Sequence, residues 1–495
     1  MSQARRRGAA AKTLGTTPSG YGAWLAVALL APAFGLLVGR WPIPSLVAFA
    51  AVVLVGGVIM SREFALGAIL VSSLVMLGAT SWLGLPVQSA LLTKVLIGLF
   101  ALSVVLDWTP ETPLRIPVVF TMLVAVLLVS AAFGSGGRFA SVQAIGAYLA
   151  APIAYLAIVH SSLTVNSLRR ITWVVLFIIA AQAPIMIVQS RIVSSVDDIG
   201  GTFGIGGSTQ ILAVILGAAW TIAVALLVSR KRLWLVPIGL SIAAVLMISQ
   251  AKAGFLFAAA GTIAVGVAKA VSNPRRGVYV LVLYLVIGVA VIAVLFGAYV
   301  FLGGLLPGGQ TASNMWVAWL RNPSAIIDYL FSYDTGGQAG RLEGTRLVLT
   351  QSRTMANLLI GQGPGILGGS ALLGQESASG SAMSFTLSWA TSVTRFLLEV
   401  GLVATLLYLA AVAVAVGSVV KAWAAPRDQV GISVGAAAVG MAAVYVTAAF
   451  YAAPWTTDAM AVTFWCLLGM AVKWGSLRSA GSERSQEAVA THESA

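Results

Sequence analysis

The chain of 495 residues has one cysteine, two histidines and only 9% charged residues. Each scarcity excludes something. A lone Cys466 cannot form a disulfide within the chain, nor can it supply a cysteine-based zinc site. His160 and His492 leave little for a histidine-rich metal centre. Soluble domains carry about 25% charged and about 45–50% apolar residues. Here 59% are hydrophobic and the mean hydropathy is +0.96, so most of the chain sits in lipid. No Gly-rich Lys-Ser/Thr phosphate loop occurs, and no stretch reads as the ATP-binding half of a pump.

What is present is a series of uncharged runs near the 20 or so residues that cross a bilayer. They include 64–83, 88–106, 117–134, 142–160, 171–189, 208–228, 233–250, 253–270, 277–303, 396–420, 429–452 and 455–474, with 22–39 and 43–60 ahead of them. The expected fold is an all-α polytopic membrane protein with about 12–14 transmembrane helices and one large extracytoplasmic loop bearing amphipathic helices. Its expected parts are a disordered cytoplasmic tail at 1–20, helices through 21–303, the loop at 304–395, last helices through 396–475, and a disordered cytoplasmic tail at 476–495. The first apolar run lacks a small-residue cleavage site and reads as an uncleaved anchor.

The net charge is +14, from 29 Lys+Arg against 15 Asp+Glu. In a soluble protein this would suggest nucleic acid. With the N-terminus inside, however, the inner segments hold roughly twice the basic residues of the outer ones, as the positive-inside rule requires. Arg5, Arg62, Arg169, Arg170, Lys231, Arg275 and Lys421 all fall inside. The excess is therefore topological, and no nucleic-acid partner is implied. Both termini are expected in the cytoplasm.

Segment 304–395 is long for a loop, and such insertions are usually functional. It carries Met315-Trp316 through Leu320 and Ile326 through Tyr333, which read as an aromatic belt at the headgroups or as a surface for stacking sugars. Residues 339–359 read as a helix with Leu342, Leu349 and Leu359 on one face, Arg346 and Arg353 on another, and Arg341 in its first turn. Gly361-Gln362-Gly363-Pro364-Gly365 ends it. Arg346 and Arg353 suit membrane lipid phosphate or a ligand equally. Arg341 follows Gly336-Gly337-Gln338-Ala339-Gly340, where backbone can approach an anion closely.

Other charges lie at the outer ends of spans. Arg191 closes the run that carries Gln182 and Gln189 and precedes Gly201-Thr202-Phe203-Gly204. Lys252 sits in Ile248-Ser249-Gln250-Ala251-Lys252-Ala253-Gly254, either anchoring a turn or facing a ligand. Arg395 and Glu399 are spaced for an i,i+4 ion pair. The candidate catalytic set is Arg191, Lys252 and Arg341, with Gln189, Arg346, Arg353, Arg395 and Glu399 as candidate substrate-binding residues. Separate fixed cations suit a phosphate or diphosphate, because guanidinium forks match its oxygens and lysine adds a point charge.

The order of these pieces resembles the O-antigen polymerase and O-antigen ligase superfamily of bacterial polysaccharide enzymes. The likeness rests on Gln189-Ser190-Arg191, Gly201-Thr202-Phe203-Gly204, Ile248 through Gly254, Gly340-Arg341, Leu359 through Gly365, and Phe396-Leu397-Leu398-Glu399-Val400-Gly401-Leu402. The resemblance implies a metal-independent, cofactor-free glycosyltransferase of the GT-C kind in the cytoplasmic membrane. Such enzymes move a glycan from undecaprenyl diphosphate to an acceptor glycan on the outer face, with inversion at the sugar carbon. It also implies that Arg191, Lys252 and Arg341 bind the diphosphate, although many members have arginine where Lys252 stands. The family's Asn after Gly-Thr-Phe is missing, and Ser208 and Thr209 occupy that region. Ligases of the family carry a loop histidine that this chain lacks, which favours a polymerase. A base would then be a carboxylate such as Asp334, Glu343 or Glu399, or none is used. Ligase-like transfer to another acceptor, a lipid-linked glycan flippase or transporter, and a non-enzymatic scaffold are the alternatives. Lys94 is the one basic residue well inside a span, and no repeat joins the two halves.

Overall fold

A computed structural model of the chain describes residues 61–76, 89–107, 116–134, 138–192, 200–203, 208–230, 235–248, 252–272, 277–303, 340–351, 354–367, 390–424 and 429–493, with a few single positions between them. The chain divides into a unit of Met1–Met60 and a unit of Ser61–Ala495, and nearly all the described residues lie in the second. That unit is all-helical, with no strand among the described residues. The expected runs 22–39 and 43–60, and the aromatic stretch around Met315–Tyr333 apart from single positions, lie outside the described residues.

Helix α1 (Arg62–Val71) starts where Ser61 turns extended and its hydroxyl accepts the Phe64 N–H at 3.2 Å. It runs directly into a π-helical turn, Ser72–Met76. Then come α2 (Ser89–Leu106), α3 (Val118–Phe133), α4 (Arg138–His160) and α5 (Val165–Ile192). A short 3-10 turn at Gly201–Phe203 leads to α6 (Ser208–Arg230), α7 (Leu235–Ile248), α8 (Lys252–Ser272) and α9 (Gly277–Gly303). The second half of the unit holds α10 (Arg341–Gln351), α11 (Met355–Ile360), α12 (Ser392–Glu399), α13 (Gly401–Ala422), α14 (Gln429–Ala448) and α15 (Asp458–Glu493).

Seven of these are long and apolar enough to cross a membrane, in α4, α5, α6, α8, α13, α14 and α15. Shorter apolar stretches lie in α2, α3, α7 and α9. Large apolar side chains such as Leu106, Phe133, Phe177 and Val278 point away from the bundle, a surface that lipid tolerates and water does not. The chain is a multi-pass membrane protein.

With lipid outside, helix association rests on close packing and buried polar contacts rather than on hydrophobic transfer. Helices α6, α8 and α14 meet through small residues: a Cβ on Gly440 would lie 2.3 Å from the Thr221 methyl and 2.9 Å from the Gly261 carbonyl oxygen. Elsewhere α15 packs on α4 and α13 around an aromatic box of Phe396, Tyr408, Trp455 and Trp465. The box satisfies most of its polar atoms internally, since Tyr408 and Tyr445 hydroxyls meet at 2.9 Å and Trp465 Nε1 donates to the Tyr408 hydroxyl at 3.0 Å.

Three expectations are corrected. The run 396–420 is not one helix, because the chain breaks at Val400–Gly401 between α12 and α13. The helix expected over 339–359 is two, α10 and α11, since Thr354 is extended and caps α11 by accepting the Asn357 N–H. Finally, α15 continues to Glu493, so most of the tail expected to be disordered is helical. Its Ala, Glu, Gln and Arg content favours helix intrinsically.

Candidate functional site

One end of the bundle gathers α10 and α11 with the break between α12 and α13. The opposite end is marked by the Arg62–Asp107 ion pair and by Arg170 at 3.4 Å from Glu63. At the first end, Gly361–Gly365 threads into the break between α12 and α13. The Gln362 N–H donates to the Leu398 carbonyl at 2.8 Å, and the Gly363 N–H to the Glu399 carbonyl at 2.9 Å. The Glu399 carboxylate, 2% exposed, accepts the Gly365 N–H at 2.8 Å and the Tyr148 hydroxyl of α4. From α3, the Ser130 hydroxyl donates to the Glu399 carbonyl at 3.1 Å, and from α4 the Ser141 hydroxyl donates to the Pro364 carbonyl at 3.0 Å.

The glycines make this crossing possible. Gly361 and Gly401 have φ of +86° and +77°. A Cβ on Gly361 would fall 2.5 Å from the Glu399 carbonyl, and one on Gly401 would fall 2.4 Å from the Leu359 oxygen. Two glycine motifs far apart in sequence are thus one interlocked element. Glu399, a candidate substrate contact, is instead its internal pin. It forms no ion pair with Arg395, whose Nε is buried without a hydrogen bond. The expected i,i+4 pair is lost because the carboxylate turns towards Tyr148 and Gly365.

Helix α12 also fixes the turn before α15. Its first free N–H groups are answered by that turn, Ser392 donating to the Ala452 carbonyl at 2.8 Å and Val393 to Ala449 at 3.1 Å. The Trp455 N–H returns a bond to the Ser392 hydroxyl at 3.0 Å. Helix α10 then docks on α12 through Thr345 and Thr394, whose hydroxyls are 2.8 Å apart. This places the Arg341 guanidinium over the Tyr451 ring at 5.2 Å, a cation–π contact. The Tyr451 ring in turn meets the edge of Phe257 in α8, at 6.2 Å between centroids.

Arg346 is bound bidentately to buried Glu343, at 2.7 and 2.6 Å. That hydrogen-bonded guanidinium holds the Glu343 carboxyl below the usual carboxylate range. Glu343 is therefore a weak proton acceptor, and Arg346 is an ion-pair partner before it is a ligand. Arg353 and Asp334 lie outside the described residues, as do the side chains of Arg191 and Lys252. Their backbones are placed: Arg191 in the last turn of α5 and Lys252 as the first residue of α8.

Gln189 acts as a backbone clamp. Its amide oxygen accepts the Gly201 N–H at 2.7 Å and its amide nitrogen donates to the Gly201 carbonyl at 2.8 Å. Gln182 holds Thr202 in the same manner, accepting its N–H at 2.9 Å and donating to its hydroxyl at 2.7 Å. The Thr202 hydroxyl donates to the Leu74 carbonyl in the π turn, at 2.7 Å. The Gln189 amide thus spends one donor and one acceptor on the Gly201 backbone. Leu74, Phe203, Ala253, Phe257, Ala459 and Met460 belong to one buried cluster, so the Gly201–Phe203 turn and the start of α8 share a core with the start of α15.

Sequence reasoning overlooked Tyr148, Ser130 and Asp458. Nothing in the sequence distinguishes Tyr148 or Ser130 from other hydroxyls in apolar runs. Asp458 had a signal, because Lys94 inside a span requires a counter-charge. The two approach to 3.8 Å. No protein family and no curated protein compared with the chain gives a match.

Proposed function

We propose that the protein is a GT-C-type glycosyltransferase that polymerises undecaprenyl-diphosphate-linked oligosaccharide repeat units on the outer face of the cytoplasmic membrane. The observation that carries this reading is the convergence at one end of the bundle. Arg341, the interlocked Gly361–Gly365 and Glu399–Gly401 motifs, and the start of α8 at Lys252 are linked there through Tyr451 and Phe257. Preorganised cations at a membrane boundary are what a departing lipid diphosphate needs, because they stabilise charge that develops as the glycosidic bond breaks. Helix α10, which carries Arg341, docks on α12 beside that crossing.

In this reading Arg341 and Lys252 neutralise the diphosphate, Arg191 completes the set from α5, and the diphosphate leaves with the electron pair of the broken bond. The test is purified protein with undecaprenyl-diphosphate oligosaccharide as both donor and acceptor. Polymer growth with release of undecaprenyl diphosphate is expected. Transfer only to an added, different acceptor supports ligase-like chemistry instead, and movement of intact donor across a vesicle membrane without bond cleavage supports a flippase.

A further inference from the structure

Resting on the glycosyl-transfer reading, we propose that Asp458, paired with Lys94, is the carboxylate that takes the proton from the acceptor hydroxyl. Asp458 opens α15 and its side chain is 14% exposed, yet its Oδ2 is buried and has no hydrogen-bond partner. The nearest charge is Lys94 Nζ on α2, at 3.8 Å. An orphaned carboxylate oxygen in apolar surroundings is costly, and a hydroxyl donor would relieve it. Lys94 supplies the counter-charge that keeps such a group tolerable there.

Location and the state of the other described carboxylates both favour this residue. Asp458 directly follows the Ala449–Thr457 turn that α12 fixes and on whose Tyr451 ring Arg341 rests. Lys94 comes from α2, Ser89–Leu106, so the pair joins that helix to the start of α15. The other carboxylates described at this end are already occupied, Glu343 by Arg346 and Glu399 by Tyr148 and Gly365. The π turn Ser72–Met76 packs on both α2 and α15, and its Ser72 hydroxyl lies 2.8 Å from that of Thr93, the residue before Lys94 in sequence. π turns recur at functional sites in helices.

The step balances without a further reactant. The acceptor oxygen bonds to the anomeric carbon of the donor sugar, and the carbon–oxygen bond to the diphosphate breaks with its electron pair leaving on the diphosphate. The hydroxyl proton passes to Asp458 and from there to water.

The experiment compares full-length wild type, Asp458→Asn and Asp458→Glu in lipid nanodiscs, reading undecaprenyl diphosphate released from undecaprenyl-diphosphate oligosaccharide. Asp458→Asn is expected to slow release by about 100-fold or more, with undecaprenyl diphosphate itself still binding as it does to wild type. Asp458→Glu is expected to keep part of the rate with a displaced acid limb in the pH–rate profile. Should Asp458→Asn fail to fold, the glutamate variant decides alone: an unmoved acid limb overturns the proposal. Release by Asp458→Asn within about threefold of wild type overturns it too, and leaves the glycosyl-transfer reading standing. A wild-type protein that releases no undecaprenyl diphosphate overturns that reading, and this assignment with it.

Discussion

At the residue scale, the polar side chains at the site end divide into those that hold backbone and those that remain available for chemistry. Glu399, Gln182 and Gln189 belong to the first kind, since they hold the backbone of Gly365, Thr202 and Gly201. Truncating Glu399 to alanine leaves the Gly365 N–H and the Tyr148 hydroxyl buried without an acceptor. Each costs roughly 1–3 kcal/mol, so the midpoint of thermal unfolding in detergent should fall clearly, while an exposed control such as Thr350→Ala should not shift it. The Arg346–Glu343 pair gives a pH prediction. A carboxyl held low in the folded state contributes stability that is present above its ordinary range and lost as pH falls through the lowered value. Glu343→Gln should therefore flatten the acid side of the unfolding midpoint plotted against pH, and an unchanged acid limb would show that the pair adds nothing. The fate of Glu399 could not be read from the sequence. Spacing suggested Arg395 as partner, but a residue far away in the chain, Tyr148, captures the carboxylate.

At the element scale, the breaks matter more than the helices. Long apolar runs were legible because a span needs about 20 such residues whatever surrounds it. The run 277–303 and helix α9 cover the same residues. The break at Val400–Gly401 was hidden inside an apolar run, since only the distant Gly361–Gly365 segment gives those carbonyls a reason to leave the helix. The same Gly-Pro cluster was legible as a turn but not as a partner. Alanine at Gly361 or Gly401 should cost at least about 1–2 kcal/mol from the left-handed backbone alone. The meeting with Leu359 and Glu399 backbone adds to that. Both variants should lower the unfolding midpoint and loosen protease protection of α10. Gly417→Ala, where a Cβ meets nothing, serves as the control and should leave both unchanged.

At the scale of the whole molecule, composition alone indicated an all-helical membrane protein, because a charged fraction this low leaves no other solvent for the chain. Which helices neighbour one another was not legible, since lipid-facing and partner-facing residues are equally apolar. The candidate site was legible in part. Its cations and glycines stood out against apolar surroundings, whereas the interlock that positions them depends on contacts between distant segments. The central claim is that cations gathered at one end of the bundle hold a lipid diphosphate. The most direct measurement is undecaprenyl diphosphate release by wild type, Arg341→Ala and Lys252→Ala, reconstituted at matched folded amounts. The account predicts that both variants lose turnover by 100-fold or more while their unfolding midpoints stay near that of wild type. Near-normal release by both variants would contradict it.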